Sequence, residues 1–223
     1  MSEGSATTSS CVDYYRRRAR EYERIYEKPE RQADLATLRD LVSREMTGHQ
    51  ILEIACGTGY WTQVCAPGAR SVLGVDLAEE TLAIARAKDY PFGKVRFGKG
   101  DAYHLEDVPG AFTAGLACFW WSHIPRERIP AFLEGWHRRL GAGAQVLLLD
   151  NRFVEGSSTP IARGDEQGNT YQSRLLEDGS SHEVLKNFPT PQELLETVHG
   201  RSREARVTEL PYYWSLSYRV DVV

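Results

Sequence analysis

The 223-residue sequence contains no run of apolar residues long enough to span a bilayer and no apolar leader, so nothing in it reads as an anchor or a targeting signal. A basic excess is also missing. Lys+Arg 27 against Asp+Glu 31 gives a formal net charge of −4, which argues against the cationic footprint of a nucleic-acid binder. Cysteine is scarce. Cys11, Cys56, Cys65 and Cys118 form no C-x-x-C pair and meet no matching histidine spacing, so no metal site and no disulfide framework is expected. Reduced thiols in the cytoplasm are the simpler expectation, and no internal repeat or long low-complexity tract interrupts the chain.

What is present reads as one domain over 11–223 behind a Ser/Thr-rich tail, 1–10, expected to be disordered. VDYYRRRAREYERIY from Val12 to Tyr26 and DLATLRDLVSREM after Pro29 predict two helices, a cap over 11–48 before any strand. ILEIA at 51–55 is a short apolar run carrying one acid, as expected of a strand buried on both faces. The strand signal repeats at 71–76, 94–101, 111–120 and 144–150, with helical patterns at 78–90 and 126–140. That alternation predicts a doubly wound parallel α/β sheet whose core runs over 49–150.

Beyond Asp150 the pattern changes. TYQSRLL and SHEVLKN flank the turn sequence Glu177-Asp178-Gly179-Ser180, which predicts an antiparallel hairpin within an insertion over 151–188. A helix near 191–199, a strand near 204–210 and a last strand after Pro211 complete 189–223, the two strands being expected as an antiparallel edge.

The most informative segment is LEIACGTGYWT at 52–62, where a buried strand enters Cys56-Gly57-Thr58-Gly59 and then a helix. Gly57 and Gly59 permit close approach of a ligand, and the helix start behind them offers unpaired N–H groups to a carboxylate or a phosphate. A dinucleotide fingerprint would place its third glycine at Thr62. Glu53 would repel a pyrophosphate yet suit the ammonium of an amino-acid ligand.

LEIACGTGYW resembles motif I of the class I S-adenosylmethionine-dependent methyltransferases, of the type 11 and type 25 kind, and the likeness covers about 12–150. The resemblance implies a Rossmann-like, mostly parallel seven-stranded sheet with helices on both faces and an antiparallel last strand. It implies S-adenosylmethionine as cofactor, S-adenosylhomocysteine as product, and cofactor contacts from Glu53, Ala55, Cys56, Gly57, Gly59 and Trp61. Asp76, closing the next strand, stands where the family holds the ribose hydroxyls, with Leu77 beside the sugar and adenine. Gly100-Asp101-Ala102 resembles the family's adenine-contacting G-D-A element, and Tyr14, Tyr15, Ala19 and Tyr22 resemble its cofactor-covering helix. Tyr14, Tyr22 and Phe119 complete the expected cofactor set.

Chemistry is expected just past the fourth strand, at Cys118-Phe119-Trp120-Trp121-Ser122-His123, which lacks the N/D-P-P-Y signature of many nucleobase and glutamine methyltransferases. A small metabolite, methylated on N or O, is the remaining substrate class. His123 is the candidate base, since an imidazole can take a proton near neutral pH. Trp120, Trp121, Asn151, Arg152 and Arg174 are the candidate substrate contacts, with His182 and Lys186 as further hairpin cations suited to an acidic substrate. Two other readings stay open: a different group transfer from an adenosylmethionine-like donor, and a non-catalytic nucleoside-binding protein. Monomer and homodimer are equally compatible with the sequence.

Overall fold

The computed structural model describes Arg18, residues 21–176 and residues 179–221. Tyr14, Tyr15 and Ala19 lie outside the described residues. Arg18 is helical, and Tyr22–Tyr26 forms a tight 3-10 turn rather than the end of one long α-helix. A second short turn, Pro29–Arg31, leads into α1 (Gln32–Glu45).

The apolar runs become β1 (Gln50–Ile54), β2 (Ser71–Asp76), β3 (Val95–Lys99), β4 (Ala114–Cys118) and β5 (Gln145–Asn151), all parallel. Between them lie α2 (Tyr60–Cys65), α3 (Glu79–Arg86) and α4 (Ile129–Leu140). The pattern at 78–90 predicted a longer α3. It stops early because the residues ahead of Pro91 are pushed out of the helical region. Pro130 sits in the first turn of α4, where its missing N–H costs nothing, and Gly141 at φ +83° ends it.

The sheet order is β3-β2-β1-β4-β5-β10-β9, so the chain winds outward from β1 in one direction and then from β4 in the other. That reversal leaves a crevice above the carboxyl ends of β1 and β4. α5 (Pro191–Val198), started by a Thr190–Glu193 capping box, precedes β9 (Ser202–Glu209) and β10 (Tyr213–Val220). The two closing strands form the expected antiparallel edge, with β10 inserted between β5 and β9, antiparallel to both, and β9 outermost. Composition explains this. YWSLSYRV is buried over most of its length, whereas SREARVTE is largely exposed and charged, as suits an edge that must resist further pairing.

One core lies between the sheet and α4 and α5, around Trp121, Phe132, Trp136, Trp214 and Tyr218; the other lies under α1 and α2, around Leu35, Leu38, Trp61 and Tyr213. The insertion folds as a separate sheet of β6 (Arg163–Gly164), β7 (Thr170–Leu175) and β8 (Ser181–Leu185). The β7/β8 hairpin follows its turn sequence, while the two residues of β6 are too short to carry a periodic signal.

Packing leaves no spare room where α4 crosses β4. A Cβ at Gly115 would lie 2.6 Å from both Leu140 Cδ1 and Trp136 Cζ2. Gly115→Ala is therefore expected to lower stability by about 1–3 kcal/mol through overpacking. Urea unfolding should show a lower midpoint at an unchanged slope; an unaltered midpoint would mean that the Trp136 ring can shift at no cost.

Candidate functional site

Past β1 the backbone makes a left-handed hinge, with Ala55 at φ +51°, Gly57 at +55° and Gly59 at +77° as the N-cap of α2. Gly59 is needed for space as well as for φ, because a Cβ there would press on the Tyr90 hydroxyl and lie 3.1 Å from Ala85 Cβ. Past β4, Phe119 bends the same way at φ +61°. Left-handed backbone at a residue with a side chain costs about 1–2 kcal/mol. Both Ala55 and Phe119 line the crevice at the sheet's switch point, where such strain often accompanies function.

The crevice opens as a cleft of about 950 Å³. Asp76 stands in its wall and joins two turns: Oδ2 accepts the Gly57 N–H at 2.9 Å, and Oδ1 accepts the Ala78 N–H at 2.9 Å and the Thr81 hydroxyl at 3.1 Å. Burial pushes its carboxyl above the usual range, and these hydrogen bonds oppose the shift. Asp101 acts differently. Its Oδ1 accepts the Tyr103 N–H at 2.9 Å, shaping the turn that brings Gly100, Ala102 and Tyr103 to the cleft wall.

Glu53 is buried beneath the glycine hinge, outside the cleft lining, and accepts the Thr62 hydroxyl at 2.5 Å. Desolvation raises its pKa to about 8, against the lowering effect of that hydrogen bond. Cys56 and Trp61 are likewise buried behind the hinge; Trp61 Nε1 donates to the Tyr26 hydroxyl at 3.1 Å. Sequence adjacency to the glycines does not give these side chains access: Glu53 on β1, Cys56 in the hinge and Trp61 on α2 are each buried in the interior.

The lining fits an amino acid joined to a nucleoside. Gly57 leaves open space, since a Cβ there would meet no protein atom within 4 Å. Asp76 is an acceptor with lone pairs to spare for a diol, and Leu77, Ala78, Ala102, Tyr103 and Pro125 form an apolar wall for a flat base. Trp120 lines this same cleft, and its buried Nε1 has no hydrogen-bond partner among the described residues.

A second cleft of about 1190 Å³ abuts the first. Tyr22, Phe119 and His123 line both. Among the described residues, Arg18, Lys28, Arg31, Arg174 and Lys186 line it as well, with Glu21 as the carboxylate. Asn151 and Arg174, both anticipated, belong to this lining, whereas Arg152 turns away to the Leu210 carbonyl (2.8 Å) and to Glu209 (3.1 Å). Trp121 is buried edge-on against Trp214, and His182 pairs with the Ser180 hydroxyl at 2.8 Å. Lys28 and Arg31 were not anticipated. They reach the site because the N-terminal turns run beside the insertion, with Lys28 Nζ donating to the Ser157 carbonyl at 3.0 Å and Arg31 to the Ser157 hydroxyl at 2.9 Å.

His123 sits in the 3-10 turn Trp121–His123 and is gripped by the end of β8. Its Nδ1 contacts the Leu185 carbonyl at 2.7 Å. A carbonyl can only accept, so Nδ1 carries the proton and Nε2 carries the lone pair. Burial first, then Lys186 and Arg174, push the imidazole well below its ordinary pKa, which keeps it neutral. The neighbouring residues complete the grip: Lys186 Nζ binds Ser122 Oγ (2.5 Å) and Asp150 (2.9 Å), and Asn187 Nδ2 donates to the Ile124 carbonyl (3.1 Å). The insertion is thus both the roof of the second cleft and the support of the imidazole.

Comparison with known proteins agrees with this geometry. The methyltransferase-domain family model Methyltransf_25 matches residues 51–143. A ubiquinone biosynthesis O-methyltransferase of Pseudomonas aeruginosa (strain LESB58) is 30% identical over 105 residues, 46% of this chain and 44% of its own. This chain therefore spans less than half the length of that relative. An uncharacterized methyltransferase of Bacillus licheniformis is 26% identical over 163 residues, 72% of this chain and 71% of its own. Among solved structures, the DhpI–SAH complex aligns over 99% of both chains with a TM-score of 0.78 at 27% identity. DhpI in a SAM–HEP complex aligns over 98% and 99% with the same TM-score. Residues 51–143 thus match a methyltransferase-domain family, and over the whole chain the fold is similar to that of the DhpI structures.

The buried ionisable groups make stability depend on pH in opposed ways. His137, lowered to about 4 by burial, and His123, also lowered, remain neutral while the unfolded chain takes up protons, so stability falls as pH drops below about 6.5. Glu53, raised to about 8, keeps its proton while the unfolded chain has lost it, so its contribution is full below about pH 4.5 and is lost as pH rises to about 8. Glu53→Gln is expected to remove that decline. Between pH 6.5 and 8 the difference between variant and wild type in unfolding free energy should grow by up to about 1.4 kcal/mol per pH unit. Parallel pH profiles would show that Glu53 is already ionised in the folded state.

Proposed function

We propose that this chain, a class I S-adenosylmethionine-dependent methyltransferase by its core domain and its fold, transfers a methyl group to an N or O atom of a small acidic molecule. The observation that carries this reading is the sharing of Tyr22, Phe119 and His123 between an apolar cleft containing Asp76 and a cationic cleft. The first cleft suits the nucleoside and amino acid of the cofactor, and the second suits an anion. The bound cofactor would supply an electrophilic methyl group. The chain's own residues then have three tasks: to align the acceptor at the junction, to neutralise its charge, and to remove its proton.

Alignment falls to Tyr22 and Phe119, which line both clefts, and charge neutralisation to Arg174 and Arg31. Proton removal falls to His123, whose Nε2 lone pair is set by the Nδ1 contact to Leu185. A base held neutral by burial and by nearby cations is available without prior deprotonation at pH 7. The cations also favour a negatively charged acceptor over its protonated form. The DhpI complex containing SAM and HEP is a precedent for cofactor and second molecule in one such fold.

Calorimetry with S-adenosylmethionine and S-adenosylhomocysteine is expected to show saturable binding, weakened by about 10- to 100-fold in Asp76→Asn, which loses charge-assisted hydrogen bonds. Absence of binding by folded wild-type protein would falsify the proposal. With methyl-labelled cofactor and a panel of small carboxylates and phosphorylated acids, His123→Asn should cut turnover by about 10²- to 10⁴-fold while keeping cofactor affinity. Normal turnover in that variant would remove His123 from the mechanism.

A further inference from the structure

The turn Tyr22–Tyr26 rests on the segment that follows β1, and it does so through three successive contacts. Glu23 Oε1 accepts the Thr58 hydroxyl at 2.6 Å, Tyr26 stacks on Tyr60 with ring centroids 4.0 Å apart, and the Tyr26 hydroxyl accepts Trp61 Nε1–H. Lys88, beyond α3, pairs with the same Glu23 oxygen. The far end of the N-terminal stretch is tied to the insertion by Lys28 and Arg31 at Ser157. Tyr22, next to Glu23, is the residue of this turn that reaches both clefts.

Thr58 is the middle residue of the Gly57-Thr58-Gly59 hinge, yet its side chain is 2% exposed and lines neither cleft. Its hydroxyl is aimed away from the ligand space and into the N-terminal turn. Gly57, one residue earlier, faces the first cleft and is held by Asp76. A displacement of the hinge is therefore transmitted to Glu23, and through Glu23 to Tyr22. The carboxylate also gains from two donors on separate elements, Thr58 and Lys88, so it holds only when the β1–α2 hinge and the end of α3 are both in place.

We infer that Glu23 is a positioning residue, a latch that couples occupancy of the glycine hinge to the seating of Tyr22 between the two clefts, and so sets how long the nucleoside product stays bound. This rests on the reading of the first cleft as the adenosylmethionine site. A latch of this kind acts on dissociation more than on folding, because Glu23 lies at the surface and its removal uncovers no core.

The test is stopped-flow release of S-adenosylhomocysteine from the full-length protein, followed by tryptophan fluorescence, alongside thermal unfolding of the ligand-free variants. Glu23→Ala and Thr58→Val should each speed release by about tenfold, the scale of one hydrogen bond to a charged group. The double variant should be no faster than Glu23→Ala alone, because that substitution already removes the contact that Thr58→Val breaks. Thr58→Ser, which keeps the hydroxyl, should restore the wild-type rate, and Glu23→Gln, which keeps an acceptor but loses the attraction of Lys88, should fall between. Wild-type release rates in Glu23→Ala and Thr58→Val, or fully additive effects in the double variant, would overturn the latch while leaving the cofactor site intact. Failure of the wild type to bind S-adenosylhomocysteine at all would instead overturn the site reading on which the latch depends.

Discussion

The Asp76 carboxylate, at the end of β2, accepts hydrogen bonds from the turn after β1 and from the turn after its own strand, and the shape of the first cleft depends on that double attachment. Parallel strands deliver their carboxyl ends to one side of the sheet, but they do not by themselves keep the following loops apart. A buried acceptor placed between two sets of backbone N–H groups does so. It satisfies donors that the hinge would otherwise leave orphaned, and it keeps lone pairs directed at the crevice. The left-handed backbone at Ala55 and Phe119 is tolerated around this point because the strands that lead into both residues are buried and cannot relax.

A second constraint acts on the other side of the junction. Asp150 ends β5 fully buried, and its charge is met by the Ser122 backbone and hydroxyl and by Lys186. A buried pair of this kind contributes little net stability, but it fixes one arrangement, since loss of either partner leaves an uncompensated charge in the interior. The arrangement it fixes is the one that joins β8 to the turn carrying His123. Roof and imidazole therefore move together, and the second cleft cannot change shape without changing the position of the ring. That coupling ties the insertion to the position of the imidazole as well as to enclosure.

Much of the fold was legible in the residues because β1, β2, β4 and β5 are mainly apolar runs with helical patterns between most of them. The β7/β8 hairpin was legible from its turn sequence. The interior place of β10 was less so: it follows from which of two adjacent strands is apolar on both faces, a comparison that matters only once both compete for the edge of β5. Within the site, Asp76, Gly57 and Ala102 reach the cleft as their sequence context implies. Glu53, Cys56 and Trp61 do not, because a buried strand, the hinge and the start of a helix each send side chains to more than one side, and these three point into the interior.

The sequence by itself determined the alternating sheet and the glycine hinge after the first strand. These depend on local composition and on periods of two and 3.6 residues. Tertiary structure alone decided that Lys28, Arg31, Arg174 and Lys186, up to 158 positions apart in the chain, share one cleft. It alone decided that Leu185 selects the tautomer of His123 and that Glu23 reaches Thr58. Those relations join residues far apart in the chain, and no period or motif in a linear sequence encodes a distance that exists only after the layers have packed.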